Sequence, residues 1–307
     1  MELNTTKSRL KSDPTANEFV GLIESNLDRL QLEKCKIFYK FPLYRGEDGL
    51  EEAKIVVVSE NHGVIVVETT EAARSTATED VEQADSRLDV VFGQLHGRLT
   101  RNKTLRKNKK SLLFPLEPLL FAPGLSGNEL GFDIDSEVVT DFQSLQAFLE
   151  SIALKEPISD AVVSEIASVI EGAKGMIVPQ ARPVASQDAL TKARLVNSLE
   201  AEIANFDADQ KHGYMEVIGG PQRIRGLAGS GKTVVLAMKA AITHLRDPEA
   251  SIVYTYYTRS LHQHVKRLIT RFYRQFDDRD PNWNKITVMH AWGGSSKPGV
   301  YSEACSL

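Results

Sequence analysis

Residues 226–233 read Gly-Leu-Ala-Gly-Ser-Gly-Lys-Thr, and this stretch decides the fold class of the chain. A glycine, four further residues and then Gly-Lys-Thr is the spacing of a loop whose backbone N–H groups surround phosphate oxygens. Glycine lets the backbone curl at positions where a Cβ atom would obstruct the anion. An apolar helical pattern follows from Val234 to Ala241, and the positive end of that helix would face the same anion. The sequence therefore predicts an α/β fold in which this loop joins a strand to a helix.

Each position of the loop has an expected role toward a nucleoside triphosphate. Lys232 supplies a positive charge to the β and γ phosphates, and Thr233 supplies a hydroxyl ligand to the accompanying Mg²⁺. We therefore predict Lys232 and Thr233 as the catalytic pair of the site. The backbone cradle consists of Gly226, Leu227, Ala228, Gly229, Ser230 and Gly231.

The composition is that of an ordinary soluble protein. With 307 residues and 42% hydrophobic content, the chain is long enough for about two domains with apolar cores. Its net charge of −4 gives no overall attraction to nucleic acid or to an anionic membrane, so such binding needs a local cluster. Cys35 and Cys305 indicate neither a disulfide framework nor a zinc site, which favours a reducing compartment. Because the sequence has no apolar signal-peptide core and no apolar run of about 20 residues, we predict a cytoplasmic protein without membrane contacts.

Apolar periodicity in residues 1–140 predicts a small domain of strands and helices. Two runs rich in valine and isoleucine, Lys54–Ser59 and Val64–Glu68, flank a turn and predict a hairpin. Because both runs are almost continuously apolar, helices should cover the two faces of this hairpin. The segment Leu112–Phe121 carries two prolines and is predicted as an edge strand or as the lead-in to a strand. The other predicted elements are a helix with Phe19, Ile23, Leu27 and Leu30, a strand at Ile37–Phe41 and a helix at Thr78–Thr100.

The rest of the chain divides into two further parts. Residues 141–200 predict a helical connector, because apolar residues recur at helical spacing from Phe142 to Ile152 and from Val162 to Ile170. Residues 201–307 contain the loop and form the last predicted domain. Directly before the loop, Gln222–Arg225 is shorter and more charged than a central parallel strand usually is.

Two features near the loop resemble the superfamily 1 UvrD/Rep-like DNA helicases. Gln210 lies 22 residues before Lys232, which is the placement of the Q motif in that family. The sequence Ala-Gly-Ser-Gly-Lys-Thr within the loop is typical of this family. The resemblance implies a partial RecA-like lobe with a parallel sheet, in which the side-chain amide of Gln210 reads the adenine of ATP through paired hydrogen bonds.

Two later segments resemble motifs that lie along single-stranded DNA in the same family. Ile252–Thr258, with Arg259 after it, is similar to motif Ia, and Thr287–Trp292 is similar to motif Ib. The resemblance implies that Thr258, Arg259 and His290 contact single-stranded DNA. The alternative for His290 is a buried histidine with satisfied hydrogen bonds. The strand also carries three tyrosines that are predicted to pack in a core: Tyr254, Tyr256 and Tyr257.

The resemblance implies ATP-dependent unwinding of DNA or translocation on it, and this chemistry needs a further acidic motif. In the family, an Asp-Glu pair at the end of an apolar strand holds Mg²⁺ and orients the attacking water. No acidic residue after Thr233 has that setting in the sequence. We therefore expect the N-terminal part of a longer helicase, lacking the second motor lobe and hydrolysing little ATP by itself. The alternatives are a regulatory ATP-binding module that does not move on DNA, and a nuclease-helicase of DNA repair or phage defence.

Residues 18–123 resemble the restriction-endonuclease-like folds of the nuclease-related type. Those nucleases hold a metal ion with an Asp on the first hairpin strand and a Glu-x-Lys at the end of the second. Here Lys54 occupies the Asp position and Glu68-Thr69-Thr70 replaces the second motif, so we predict that the domain is inactive as a nuclease. Substitutes for the missing Asp are available at Asp48, Glu51 and Glu52.

A run of positive charge lies between Arg98 and Lys110. It contains seven basic residues and no acidic residue, in a protein of net negative charge. Such a run is either a solvated face or a contact for the phosphates of DNA or RNA, because clustered cations repel one another unless an anion joins them. The seven residues are Arg98, Arg101, Lys103, Arg106, Lys107, Lys109 and Lys110. Nothing in the sequence identifies a protein partner.

Overall fold

The computed structural model of the chain contains two compact units, Met1–Glu171 and Gly172–Leu307. Among the residues that it describes, no helix combines the length and the apolar character needed to cross a bilayer. The described residues are 1–5, 10–45, 50–71, 77–108, 111–125, 136–173, 210, 213–214, 220–258, 260–293 and 298–305.

The first unit is built on a mixed six-stranded sheet. The strands of the unit, six of which form this sheet, are β1 (Glu2–Asn4), β2 (Lys36–Tyr39), β3 (Leu43–Arg45), β4 (Leu50–Glu52), β5 (Ile55–Ser59), β6 (Gly63–Thr69), β7 (Leu116–Phe121) and β8 (Glu137–Val139). The order in the sheet is β1-β2-β5-β6-β7-β8, while β3 and β4 form a separate antiparallel pair. The β1–β2, β6–β7 and β7–β8 pairs are parallel, and β5 runs antiparallel to both of its neighbours. The carboxyl ends of five of the six strands therefore lie at one edge of the sheet.

Helices cover both faces of this sheet, as the apolar runs of the hairpin predict. The helices are α1 (Pro14–Glu24), α2 (Ala77–Arg101), α3 (Phe142–Ile152) and α4 (Asp160–Ile170). Phe19 of α1 and Leu145 of α3 share one core with Phe121, whereas Val81 of α2 packs with Leu120 on the opposite face. Every residue of β5 and β6 is buried. The predicted hairpin and the helix predicted at Thr78–Thr100 are confirmed, and the first helix ends before Leu27 and Leu30.

The strand β7 is internal; Pro115 precedes it, and Pro118 lies where it has a single neighbour. Pro118 is paired with Val66 of β6, whereas the pairing with β8 begins one residue later, at Leu119. Proline lacks an N–H donor, and in this part of the strand the lack costs no hydrogen bond to β8. The prediction of a lead-in to a strand is therefore confirmed, and the edge-strand alternative is wrong.

The helices predicted as a connector lie on the first unit. Leu145 and Leu149 of α3 belong to the same core as α1, and the N–H of Leu154 donates to the carbonyl of Asn61 at 2.8 Å. The first compact unit thus extends past the predicted boundary at residue 140 and ends at Glu171. Residues 174–200 of the predicted connector lie outside the described part of the chain.

The second unit contains a two-stranded parallel sheet in its described part. The strands are β9 (Ile252–Tyr256) and β10 (Ile286–His290), and the helices are α5 (Lys232–Arg246), α6 (Leu261–Tyr273) and α7 (Val300–Ala304). The register runs from Ile252 opposite Ile286 to Tyr256 opposite His290, so the two strands end side by side. The apolar core of the unit comes mainly from α5, α6 and β10: Val235, Met238, Ile242, Val265, Ile269, Phe272, Ile286 and Val288 are buried.

No strand leads into the Gly-rich loop within residues 220–231. In Gln222–Arg225 only Ile224 is half-buried, and the other three side chains are exposed. Charged side chains and the adjacent Pro221 disfavour a buried parallel strand, which is normally a continuous apolar run. In the described residues, the loop is therefore followed by the expected helix but is not preceded by the expected strand. Residues 215–219 lie outside the described part of the chain.

The two cysteines have opposite surroundings. Cys35 lies directly before β2 with 1% of its surface exposed, and burial raises the pKa of its thiol to about 11. Cys305 directly follows α7 and is exposed. Neither forms a disulfide bond.

Candidate nucleotide-binding loop and its surroundings

The loop has the backbone shape that its glycines predict. Gly229 and Gly231 have φ angles of +82° and +74°, a left-handed conformation that side chains disfavour. The helix α5 begins directly after them, at Lys232. The loop therefore leads into the N-terminal end of a 15-residue helix, where unpaired N–H groups and the helix dipole favour an anion.

Lys232 lies at the centre of the loop. Its Nζ donates to the carbonyls of Gly226 at 2.9 Å and Leu227 at 2.6 Å, and Ser230 Oγ lies 3.3 Å away. The loop is open to solvent, since Leu227 is 84% exposed. The ammonium group itself is bonded within the loop, and Lys232 is half-buried.

Gln210 lies against the loop, although 20 residues separate it from Ser230 in the chain. Its Nε2 donates to the carbonyl of Ser230 at 3.2 Å. A Cβ atom placed on Gly231 would come within 2.9 Å of the same nitrogen, so the amide fills the space that this glycine leaves open. The structure thus brings together the glutamine and the loop that the sequence singled out.

Tyr254 is a further neighbour of the loop that the sequence did not indicate. Its hydroxyl lies 3.5 Å from the carbonyl of Thr233, at the start of α5. The side chain is half-buried, and burial raises the pKa of its phenol. This contact places the middle of β9 beside the end of α5 that carries the loop.

His290 joins the segments that follow β9 and β10. Its Nδ1 accepts hydrogen bonds from the N–H groups of Trp292 at 3.1 Å and Gly293 at 3.2 Å. Because Nδ1 accepts, the proton lies on Nε2, which donates to the carbonyl of Tyr257 at 2.5 Å. Both ring nitrogens are therefore engaged with the main chain. The predicted DNA contact Thr258 is exposed at the same edge, and Arg259 lies outside the described residues.

Three aromatic side chains are exposed near these strand ends. Tyr257 is 75% exposed, so the prediction that it packs in a core is wrong. Trp292 and Tyr301 are 55% and 57% exposed, and their ring centroids lie 5.2 Å apart. Tyr256, in contrast, is half-buried, and its hydroxyl lies 2.9 Å from Nδ1 of His262. The carboxyl edge of the β9–β10 sheet thus presents aromatic rings to solvent, at the edge where open α/β sheets usually bind ligands.

Three of the described acidic residues after Thr233 have partners outside the loop. Asp277 is buried and forms an ion pair with Arg279 at 3.1 Å, and the Tyr273 hydroxyl donates to it at 3.2 Å. Burial opposes ionisation of Asp277, but the bonds from Arg279 and Tyr273 hold its pKa below the ordinary value. Asp280 pairs with Arg274, and Asp247 caps the turn that follows α5. These carboxylates therefore have structural partners of their own.

In the first unit, the lysine that replaces the expected nuclease Asp forms an ion pair within the fold. Lys54 Nζ lies 2.6 Å from Asp13, a partner that the sequence analysis missed. Asp13 also caps α1 by accepting the N–H of Ala16 at 3.2 Å, and it accepts the Tyr39 hydroxyl at 3.0 Å. Burial opposes its ionisation, but Lys54 and the capping bond outweigh burial, so the pKa of Asp13 is lowered. The sequence does contain a signal for the capping role of Asp13, because Pro14 follows it and proline is common at the first position of a helix.

The nuclease-like positions of the first unit do not fit a metal ion. The described residues contain no group of three His, Cys, Asp or Glu side chains that could hold one. The proposed substitutes Glu51 and Glu52 lie in β4, and Asp48 lies outside the described residues. With Lys54 bound to Asp13, Glu68 is left as a single carboxylate among the expected ligand positions.

The Glu68→Gln variant should be more stable than the wild type at pH 7, by about 1 kcal/mol, the usual scale of a single substitution. Glu68 is buried, and burial raises its pKa above 4.5 against the opposing charges of Arg87 and Lys54. The folded state then binds the proton more tightly than the unfolded state, so stability falls as the pH rises above that value. Glutamine resembles the protonated form and removes this loss.

Denaturant unfolding of both proteins at about pH 4 and pH 7 measures the difference. The difference in stability between the two proteins should shrink toward acidic pH. The control is Glu82→Gln, which makes the same chemical change at an exposed position of α2. A less stable Glu68→Gln variant at pH 7 would show that the ionised carboxylate is needed in the fold.

Comparison with protein-family models, with curated protein sequences and with solved structures finds no match to this chain.

Proposed function

We propose that this chain binds ATP with Mg²⁺ through residues 226–233 and Gln210, and that it is the ATP-binding portion of a superfamily 1 DNA helicase. The observation that carries the proposal is the position of the Gln210 amide, 3.2 Å from the carbonyl of Ser230. A Walker-type loop alone indicates a phosphate site but does not indicate which nucleotide base is bound. A glutamine amide beside the loop supplies one donor and one acceptor, the pair that adenine requires.

The residues of the loop suit a magnesium nucleotide. The left-handed glycines allow backbone N–H groups to face an anion, and Lys232 adds a charge at the centre. Thr233, in the first turn of α5, is the hydroxyl available to the ion. Mg²⁺ typically takes few protein ligands and is otherwise held by substrate phosphates and water, so one hydroxyl is sufficient here.

Single-stranded DNA is the proposed second ligand of this unit. Exposed Tyr257 and Trp292 at the strand ends offer faces on which bases can stack, and His290 holds the backbone of both segments. Thr258 is exposed beside them. In this proposal His290 fixes the positions of the stacking residues and does not itself bind the DNA.

Low ATP hydrolysis is part of the same proposal. Hydrolysis needs a carboxylate that orients the attacking water and a positive charge at the transition state. Four of the described carboxylates of the second unit have other partners: Asp277, Asp280 and Glu249 pair with Arg279, Arg274 and Lys285. Asp247 accepts hydrogen bonds in the turn after α5. We therefore assign nucleotide binding, without rapid turnover, to this part of the protein.

The Gln210→Ala variant tests the assignment of adenine. We expect its affinity for MgATP to fall roughly tenfold to a hundredfold, the cost of one to two lost hydrogen bonds at a desolvated base. Its affinity for MgGTP should change little, so the preference for ATP should disappear. Equilibrium titration with fluorescent ATP and GTP analogues measures both affinities.

The matched control is Gln263→Ala, which removes an exposed glutamine of α6. It should leave both affinities unchanged. An unaltered ratio of ATP to GTP affinity in Gln210→Ala would remove the adenine assignment, and with it the main support for the helicase proposal.

A further inference from the structure

The residues between α2 and β7 lie at the edge of the sheet opposite to the nuclease-like positions. The helix α2 follows the carboxyl end of β6 and returns the chain to the start of β7, which is parallel to β6. The N–H of Val64, at the start of β6, donates to the carbonyl of Pro115 at 3.0 Å. Residues 101–108, which run from the last residue of α2 into this connection and are named here the basic loop, therefore lie at the amino edge. Lys54 and Glu68 lie at or near the carboxyl edge.

The basic loop has a defined backbone. Leu105 is fully buried, and its carbonyl accepts the N–H of Leu113 at 2.9 Å. The N–H of Lys107 donates to the carbonyl of Ser111 at 2.8 Å, and Arg106 forms a bridge with Leu112. The side chain of Asn102 donates to Glu165 of α4 at 2.6 Å. The cations of the loop are thus carried on an anchored scaffold.

The basic residues of this region differ in what they can offer to a ligand. Arg98 lies over the ring of Tyr44, 5.2 Å from its centroid, and Arg106 donates to the carbonyl of Thr100 at 3.4 Å. These two side chains serve the fold. Lys103 and Lys107 are exposed. Glu165 lies beside the loop and accepts hydrogen bonds from Asn102 and Thr104.

We infer that the basic loop binds the phosphate backbone of a nucleic-acid duplex, with Lys103 and Lys107 as the contacting residues. Duplex DNA carries one negative charge per about 1.7 Å of its axis, a density that rewards clustered cations. The loop, Arg-Asn-Lys-Thr-Leu-Arg-Lys-Asn, has no aromatic side chain on which an unpaired base can stack. It therefore suits paired strands, whereas the exposed rings of the second unit suit single strands.

An anionic membrane is a less suitable partner for this surface. Binding at a lipid surface usually combines positive charge with an apolar face that enters the bilayer. The leucine of the loop, Leu105, is buried, and the bordering Leu113, 51% exposed, is a single side chain. The inference lies in the first unit and needs no nucleotide, so it does not depend on the proposed ATP site.

The test uses the full chain with Lys103→Gln and Lys107→Gln combined. Fluorescence anisotropy with a short labelled DNA duplex, without nucleotide, should show about a tenfold loss of affinity near 0.1 M salt. Between about 50 and 200 mM salt, the slope of log affinity against log salt should become shallower by about 1.8, or 0.9 for each lost phosphate contact. Affinity for an unpaired strand of the same length should change much less, and far-UV circular dichroism checks the fold.

The matched control combines Lys11→Gln with Arg271→Gln, which removes the same charge from two other exposed positions. The inference is overturned if duplex affinity and salt slope are unchanged, or if the control lowers them equally. It is also overturned if the loop variant loses binding only to phosphatidylserine-containing phosphatidylcholine vesicles. A chain that binds duplex through these lysines but does not bind ATP would contradict the proposed function alone.

Discussion

The Lys232→Ala variant is expected to bind MgATP at least about a hundredfold more weakly than the wild type, a loss of roughly 3 kcal/mol. The ammonium group lies at the centre of the loop, 2.9 Å from the carbonyl of Gly226 and 2.6 Å from that of Leu227. Alanine removes the positive charge from the loop, so the phosphates lose a charge-assisted partner. Titration with a fluorescent ATP analogue in the presence of Mg²⁺ measures the change.

The control for this variant is Lys285→Ala. Lys285 pairs at 2.8 Å with Glu249, which is 83% exposed, so the pair contributes little. Its loss should leave nucleotide affinity within a factor of about two, since exposed ion pairs contribute less than 1 kcal/mol. Retained ATP affinity in Lys232→Ala would refute the phosphate site. Rapid ATP turnover by the wild-type chain would refute the assignment of binding without hydrolysis.

The Phe121→Ala variant is expected to destabilise the first unit by about 3 to 5 kcal/mol, the usual cost of removing a buried aromatic side chain. Phe121 ends β7 with no exposed surface, and its ring centroid lies 5.2 Å from that of Phe19. Alanine leaves a cavity between the sheet and α1, because the main chain at this point is held by pairing with both β6 and β8. The melting temperature of the unit should fall by about 10 °C.

The positions of the tryptophans allow unfolding of the second unit to be followed separately from unfolding of the whole chain. Both tryptophans, Trp283 and Trp292, belong to the second unit. Tryptophan fluorescence therefore follows the second unit, while far-UV circular dichroism follows both. Phe121→Leu should cost only about 1 kcal/mol, since it preserves most of the volume. A Phe121→Ala protein whose circular dichroism transition is unshifted would place this ring outside the core.

The sequence predicts the first unit well where a local pattern has only one outcome. The runs Lys54–Ser59 and Val64–Glu68 are apolar at nearly every position and short, which favours strands covered on both faces. The turn between them leaves an antiparallel hairpin as the natural connection. The stripe within Thr78–Thr100 likewise fits a helix that lies along a sheet.

Long-range partners are what the sequence does not provide. The ion pair of Lys54 with Asp13 joins residues 41 positions apart (54 minus 13), and no periodic pattern encodes such a pairing. The exposure of Tyr257 has a similar origin, because strand propensity favours tyrosine on either face and at either end. The docking of α3 and α4 onto the first unit depends on side chains such as Leu149, which read equally well as part of a separate connector.

In the candidate site too, the sequence predicts the local features but not the contacts between distant residues. The backbone of the loop is predictable from its glycines, because Gly229 and Gly231 adopt left-handed φ angles that other residues disfavour. The resemblance to the helicase family implied that Gln210 lies at the nucleotide, but it gave no contact with Gly231. The contact of Tyr254 with Thr233 was missed, since it depends on how β9 lies against α5.

The unequal surroundings of the two thiols make the chain suitable for site-selective chemistry. Thiol reagents attack the thiolate, and Cys35 is both enclosed and held in the protonated form by a pKa of about 11. Cys305 is exposed directly after α7. A maleimide dye or spin label applied near neutral pH should therefore attach to the second unit alone, without any cysteine having to be removed by mutation.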